Sequence, residues 1–239
     1  MKKKNIRKVV VTGGSRGIGL AIAQKFSTRG FEVLITGTKP SSSLKDRDYE
    51  YYCADFSSPQ SVQDFSIVLR NYEPDILINN AGINVVTPFE EISLETFIKI
   101  QQVNVIAPFR LCQAVIGNMK KKQWGRIVNI ASIWSKISKS GRASYSTSKF
   151  GLDGMSVAIS AELSQYNILV NCVSPGFIDT DLTRSTLGEE GMRKIANEIP
   201  IKRLGNSTEI ATLVTWLASE ENTYLTGQNI AIDGGFTRV

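Results

Sequence analysis

Val9-Val10-Val11-Thr12-Gly13-Gly14-Ser15-Arg16-Gly17-Ile18-Gly19 runs a short apolar segment straight into a glycine-rich turn. From Ile18 the apolar positions continue at helical spacing through Ala21, Ile22, Lys25 and Phe26, with Gly30 as a stop. The stretch therefore reads as strand, tight turn, helix. The strand is apolar at every position instead of alternating, as expected of a strand covered on both faces in a parallel sheet. Glycines let the backbone turn sharply, and the free N–H groups of the helix that follows point at whatever anion sits over the turn. The spacing is G-x-x-x-G-x-G, distinct from the G-x-G-x-x-G of the usual dinucleotide fingerprint. Tight strand–helix turns also use glycine for steric reasons alone. Position decides between the two readings, because this turn follows the first strand and opens the first helix.

Outward from that unit the same alternation fills the chain. Short apolar runs occur at Val33-Leu34-Ile35, Tyr51-Tyr52-Cys53, Ile76-Leu77-Ile78, Ile127-Val128-Asn129-Ile130, Leu169-Val170-Asn171-Cys172 and Ile230-Ala231-Ile232. Helical periodicity lies between them near 60–70, 93–119, 143–164 and 207–219. The expected fold is α/β: a doubly wound, parallel, seven-stranded sheet with helices on both faces. Ser41-Ser42-Ser43 is the nearest thing to a linker, in a connection so short that a trimmed helix or a loop is expected there. Residues 1–239 are expected to form one domain.

Composition removes several classes of function. No run approaches the roughly 20 apolar residues of a membrane span, and the basic start Met1–Lys8 lacks the apolar core of a signal peptide. A soluble, cytoplasmic protein is expected. The chain has no histidine, which excludes His-dependent triads and His-ligated zinc, and no metal site is expected. Cys53, Cys112 and Cys172 are too scattered for a disulfide framework and read as buried thiols. The net charge of +6 permits acidic partners, yet its densest clusters, Lys2-Lys3-Lys4 and Lys120-Lys121-Lys122, read as a solvated tail and the polar end of a helix. No aromatic residues interleave with them, so nucleic acid is not an expected partner.

Candidate site residues gather at the carboxyl ends of the strands, where ligands of such sheets bind. The second strand ends at Gly37, followed by Thr38 and Lys39, where an acidic residue would accept bonds from an adenosine ribose. A missing carboxylate and two nearby cations, Lys39 and Arg16, suit NADP(H) over NAD(H), and an Asp at position 37 should reverse the preference. The bland alternative is a surface Lys and an incidental Arg. Asp55, after the third strand, is placed to accept from an adenine amino group, and the adjacent Phe56 is taken with it as a cofactor contact. Asn79-Asn80-Ala81-Gly82 ends the fourth strand, where two amides can tie the cleft to neighbouring backbone. Tyr145-Ser146-Thr147-Ser148-Lys149 puts a phenol and an ammonium on one helix face at i and i+4. A phenol titrates near 10, and a neighbouring cation moves it toward the working range. Such a pair is common on ordinary helices. Ser132, just past the fifth strand, adds a hydroxyl for a substrate carbonyl. Asn104, inside a long helix, either holds a water for proton relay or is merely solvated.

These residues, in this order, resemble the short-chain dehydrogenase/reductase family over essentially the whole chain. The resemblance adds Pro175-Gly176 and the closing Asp233-Gly234-Gly235, and it implies a Rossmann-type oxidoreductase fold. It implies that Tyr145 is the acid/base, Ser132 orients the carbonyl and Asn104 anchors a proton relay. By the same resemblance Lys149 binds the nicotinamide ribose and lowers the Tyr145 pKa, while Ile178 and Thr180 contact the carboxamide. Gly13, Gly14, Ser15, Arg16, Gly17, Ile18 and Gly19 are then the phosphate cradle, with Asn80, Ala81, Gly82, Pro175 and Gly176 beside it. The pattern is closest to 3-oxoacyl-(acyl-carrier-protein) reductases through Arg203-Leu204-Gly205 and Tyr224-Leu225-Thr226-Gly227.

Gln123 and Tyr166 stand where those reductases carry Arg for docking the acidic carrier, and Trp134 is bulkier than the pattern. Expected partners are a small-molecule or carrier-bound carbonyl substrate and further copies of the chain. Val103, Phe109, Val115, Met155 and Ile159 give two helices more than one apolar face, which together with the resemblance implies a homotetramer. Lys136, Lys139 and Arg142 precede Tyr145; solvated, they mean nothing, and facing the cleft they favour a substrate with an anionic handle. Alternatives are a dehydrogenase of sugars, nucleotide sugars or other small polar alcohols, and a regulatory module that binds a dinucleotide without turning it over.

Overall fold

The structure, a computed structural model, describes residues 6–40 and 49–239. The Ser41–Ser43 connection and the Lys2–Lys4 cluster lie outside the described residues. Seven parallel strands form the main sheet: β1 (Lys8–Val11), β2 (Glu32–Gly37), β3 (Glu50–Cys53), β4 (Ile76–Asn79), β5 (Gly125–Ile130), β6 (Ile168–Pro175) and β9 (Asn229–Ile232). Their order is β3-β2-β1-β4-β5-β6-β9. The order turns back between β1, which pairs with β2, and β4, its other neighbour, so the switch point lies where the glycine turn leaves β1.

Two cores hold the sheet. On one face α1 (Gly17–Ser27) and α7 (Ser207–Leu217) pack Ile22, Phe26, Ile210 and Val214 against Val9, Val11, Ile76 and Ile78. On the other, α2 (Pro59–Tyr72), α4 (Ala107–Lys122) and α5 (Ala143–Leu163) cover Val10, Leu34, Leu77, Ile127 and Val170. Successive valines of β1 thus serve opposite cores, which is why the strand has no polar position to show.

The long helix expected near 93–119 is divided. α3 (Leu94–Gln101) gives way to a π-helical turn, Gln102–Ile106, before α4 begins. Pro108 has no N–H to return to the carbonyl of residue 104, four positions earlier, so the regular ladder fails there. Asn104 sits in that turn and is not solvated: it is 1% exposed. Two features had no expectation. One is α6 (Asp181–Glu198), broken at Gly188 by φ 64 and ψ 176. The other is a two-residue parallel pair of β7 (Ile178–Asp179) with β8 (Gly205–Asn206). Among the described residues no helix is long and apolar enough to cross a membrane.

Gly19 shows how tightly the first unit is closed. A Cβ there would lie 2.4 Å from the Gly13 carbonyl oxygen and 2.5 Å from Asn80 Nδ2. Replacing Gly19 with Ala should cost about 1–3 kcal/mol of overpacking, read as a lower urea midpoint at unchanged slope. A midpoint equal to that of the parent chain would contradict this packing argument.

Candidate active site

A cleft of about 550 Å³ opens at the switch point, lined by Gly13, Ser15–Gly19, Thr36–Thr38, Ala54–Ser57, Asn80–Ile83, Lys99, Val103, Thr180 and Asp181. Its floor is knotted by hydrogen bonds. The Thr12 hydroxyl accepts from the Asn80 N–H at 2.9 Å and the Ala81 N–H at 3.0 Å. Asn80 Nδ2 donates back to the carbonyls of Thr12 at 2.9 Å and Gly13 at 3.1 Å. The glycine turn and the end of β4 therefore form one rigid piece. Arg16 is the N-cap of α1, makes no side-chain cap bond, and no acidic residue occupies the first turn. Those N–H groups and their positive dipole end remain open to an anion.

Past the cleft floor the tetrad residues converge. Lys149 is buried and donates from Nζ to the Ile130 carbonyl at 2.8 Å, with Nζ 5.6 Å from the Tyr145 ring centroid. Asn104 accepts from the Ile83 N–H at 2.9 Å and donates to the Ile83 carbonyl and the Ser148 hydroxyl, both at 2.9 Å. A Cβ on Gly82 would lie 3.3 Å from Asn104 Oδ1 and 3.5 Å from Lys149 Nζ, so this glycine brings the cleft against both. Ser132 ends the run after β5, and its Oγ accepts from the Trp134 N–H at 3.3 Å.

The electrostatics differ from the expectation in one respect. Burial pushes the Tyr145 phenol up, while hydrogen bonding by Ser132 and the charge of Arg142 pull it down. Arg142, three residues before the phenol, is thus a second cation acting on it beside the expected Lys149, whose Nζ is 5.6 Å from the ring. Desolvation holds Lys149 itself down to about 8.

Buried polar networks brace this constellation from beneath. Asn79 Nδ2 donates to Asn129 Oδ1 at 2.8 Å, and Asn129 Nδ2 donates to Ser156 Oγ at 2.7 Å, linking β4 and β5 to α5. Ser135 Oγ donates to the Ser132 carbonyl at 2.6 Å and lies 3.0 Å from Ser174 Oγ, while Asn229 Nδ2 donates to Ser135 at 2.9 Å. Neither network was read from the sequence, because each joins isolated polar residues on separate strands.

Several of the expected contact residues lie off the lining of this cleft. Gly14 turns into the sheet, where a Cβ would meet Ile35 at 2.7 Å, and does not line the cleft. Lys39 is exposed and outside the cleft lining. The Ile178 side chain lines a separate cavity of about 200 Å³ with Phe177 and Gly205. Pro175 ends β6, and Gly176 packs on Asp233, with a Cβ at 2.7 Å from its Cβ; neither lines the cleft. Cys53 is exposed, since it closes the edge strand β3, while Cys112 and Cys172 are buried thiols pushed up to about 12 by desolvation. Thr36, Ser57 and Lys99 line the cleft without having been singled out. Asp55 does line it, and Oδ1 accepts from the Ser57 N–H and hydroxyl, which holds its carboxyl below the ordinary value.

The family model described as enoyl-(acyl carrier protein) reductase matches residues 13–237. The 3-oxoacyl-[acyl-carrier-protein] reductase of Escherichia coli strain K12 is 37% identical over 237 residues, covering 96% of this chain and 97% of that protein. This chain belongs to the short-chain dehydrogenase/reductase family. It is an oxidoreductase of CH–OH and C=O groups. The acetoacetyl-CoA reductase of Cupriavidus necator is 36% identical over 237 residues, with 94% and 96% covered. Among solved structures, a putative NAD(P)-dependent gluconate 5-dehydrogenase from Beutenbergia cavernae, with bound NADP, superposes at a TM-score of 0.91. It is 30% identical, with 98% of this chain and 97% of that chain covered.

For a short-chain dehydrogenase/reductase with a buried lysine, pH dependence of stability follows by linkage. The unfolded Lys149 ammonium keeps its proton to about 10.5 and the folded one only to about 8. Between those values the unfolded chain binds more protons, so stability rises with pH across the window, and the burial penalty is fully felt below it. Relative to a Lys149→Met variant, the parent should gain stability from pH 8 to 10.5, read from urea midpoints at a series of pH values. A difference that stays flat with pH would show that Lys149 is not desolvated in this way.

Proposed function

We propose that this chain reduces a ketone to a secondary alcohol with NADPH, with Tyr145 as the proton donor and a 3-oxoacyl thioester as the substrate class. The observation that carries the reading is the meeting of Tyr145, Ser132, Lys149 and Asn104 with the glycine-turn cleft across Gly82. The 3-oxoacyl class is supported by the Escherichia coli and Cupriavidus necator relatives. On this reading residues 1–239 act as one domain.

A nicotinamide dinucleotide held by the glycine turn and the α1 N-terminus would supply the hydride for the carbonyl carbon. Ser132 donates to the carbonyl oxygen and orients it. Tyr145 passes its proton to the same oxygen as charge develops there, and Ser132 and Arg142 stabilise the phenolate left behind. Lys149, with a pKa of about 8, can hold or release a proton near neutral pH and so return one to Tyr145. Asn104 keeps Ile83 and Ser148 fixed around that ammonium.

The residues present fit the dinucleotide. The open N-terminus of α1 suits a pyrophosphate, and Asp55 lines the same cleft. NADPH is favoured because Gly37 and Thr38 offer no carboxylate, Arg16 lies on the lining and the exposed Lys39 follows directly on Thr38. The exposed Ile106 and Phe109 at the start of α4 and Phe150 and Val157 on α5 support a homotetramer joined through these helices. Val103 and Val115 contribute nothing to that face, since they are buried in the core, and Met155 and Ile159 are half-buried.

Tyr145→Phe should lower turnover of 3-oxoacyl thioesters by about 10²–10⁴, with NADPH affinity nearly unchanged; near-normal turnover would sink the mechanism. If the parent chain ignores such thioesters yet reduces a sugar or nucleotide-sugar ketone, the substrate class moves there.

Cofactor preference has its own test, and the structure redirects it. A Cβ at Gly37 would lie 2.7 Å from the Tyr51 hydroxyl, so an acidic replacement belongs at the exposed Thr38. Thr38→Asp should reverse the NADPH preference in side-by-side kcat/KM measurements. A parent enzyme that prefers NADH would refute the charge argument.

A further inference from the structure

Of the three cations preceding Tyr145, only Lys136 is a bystander to the aromatic wall. Lys139 Nζ and Arg142 Cζ each lie 5.5 Å from the Trp134 ring centroid. Trp134 is 6% exposed, begins two residues after Ser132, and stacks edge-on against Phe177 at 6.3 Å. Gly141, at φ 76, turns the chain so that its carbonyl accepts from the Thr87 N–H at 3.2 Å, and Arg142 enters as the N-cap of α5. Arg142 is half-buried, and its Nε is fully covered with no acceptor. Among the described residues no carboxylate pairs with it or with Lys139. The one ionisable group that draws the guanidinium upward is the Tyr145 phenol.

A half-buried guanidinium three residues before Tyr145 at the start of α5, with the Trp134 ring against it and no carboxylate paired to it among the described residues, is suited to an anion from outside the chain. A guanidinium fork matches a carboxylate with two parallel charge-assisted bonds, while a thioester oxygen takes one neutral acceptor bond. We propose that Arg142, seated against Trp134, receives a free carboxylate of the substrate a few bonds from the carbonyl that Tyr145 protonates. The preferred substrate is then an oxo acid, with Lys139 adding positive potential at the rim. This rests on the reading of Tyr145 as proton donor and departs from the thioester class, directing the same carbonyl chemistry to a free oxo acid that has the carboxylate a thioester lacks.

The test compares kcat/KM for acetoacetate, its methyl ester, its N-acetylcysteamine thioester and pentan-2-one, in the parent chain and in Arg142→Gln and Arg142→Lys. The parent should prefer the free acid over the ester. Arg142→Gln should reduce the acid-to-ester ratio about ten- to a hundredfold, the scale of a charge-assisted pair, and Arg142→Lys should recover part of it. An unchanged ratio, with both substrates falling together, would overturn the proposal and leave Arg142 acting on the Tyr145 phenol alone. Reduction of the thioester or ketone with no advantage for the acid would overturn it while leaving the reductase reading intact. Turnover of none of the four by a chain that still binds NADPH would count against both.

Discussion

The Thr12 hydroxyl is the constraint on which the rest of the site depends. It stands at the end of β1, donates to the Ile78 carbonyl at 3.3 Å and accepts from two consecutive backbone N–H groups past the end of β4. Where a parallel sheet changes direction, neighbouring strand ends diverge and leave backbone groups unpaired. One hydroxyl with several partners closes that gap from below, and the Asn80 amide closes it from the side. The glycine turn can then lie flat over the junction, because Gly19 has no Cβ to hold it off. Gly82, on the same β4 extension, sits beside Asn104 and Lys149. The switch-point cleft and the buried Asn104 and Lys149 thereby share one rigid support.

The second theme is burial as a source of chemistry. No histidine is present, so proton traffic near neutral pH must come from groups that ordinarily titrate elsewhere. Desolvation brings Lys149 down to about 8, and the Ser132 and Arg142 contributions oppose the rise that burial imposes on Tyr145. Buried polar side chains beneath are tied to one another, Asn79 with Asn129 and Ser156, and Ser135 with Ser174 and Asn229, leaving Asn79 Oδ1 without a partner.

Much of this was legible before any coordinates. All seven strand candidates stand where the apolar runs placed them, since both faces of a parallel sheet select the same residue types. The alignment of Tyr145 and Lys149 followed from helical spacing alone. What escaped notice depended on tertiary partners. The division at the π-helical turn needs the Pro108 effect on residue 104, and α6 has a weak apolar stripe and a glycine break that hide its periodicity. Arg142 was visible only as one of three cations in a loop; its half-buried seat against Trp134, with Nε unsatisfied, is a property of the fold.

The sheet also works as a partition between two oily compartments. Val10 belongs to one side and Val9 and Val11 to the other, and Leu77 is likewise separated from Ile76 and Ile78. Sliding either strand by a single residue would exchange its side chains between compartments and bring mismatched volumes into both. The strand ends are therefore indexed to the nearest residue by packing far below them. Thr12 and Asn79, though polar, inherit their addresses from valines and isoleucines that never meet the substrate.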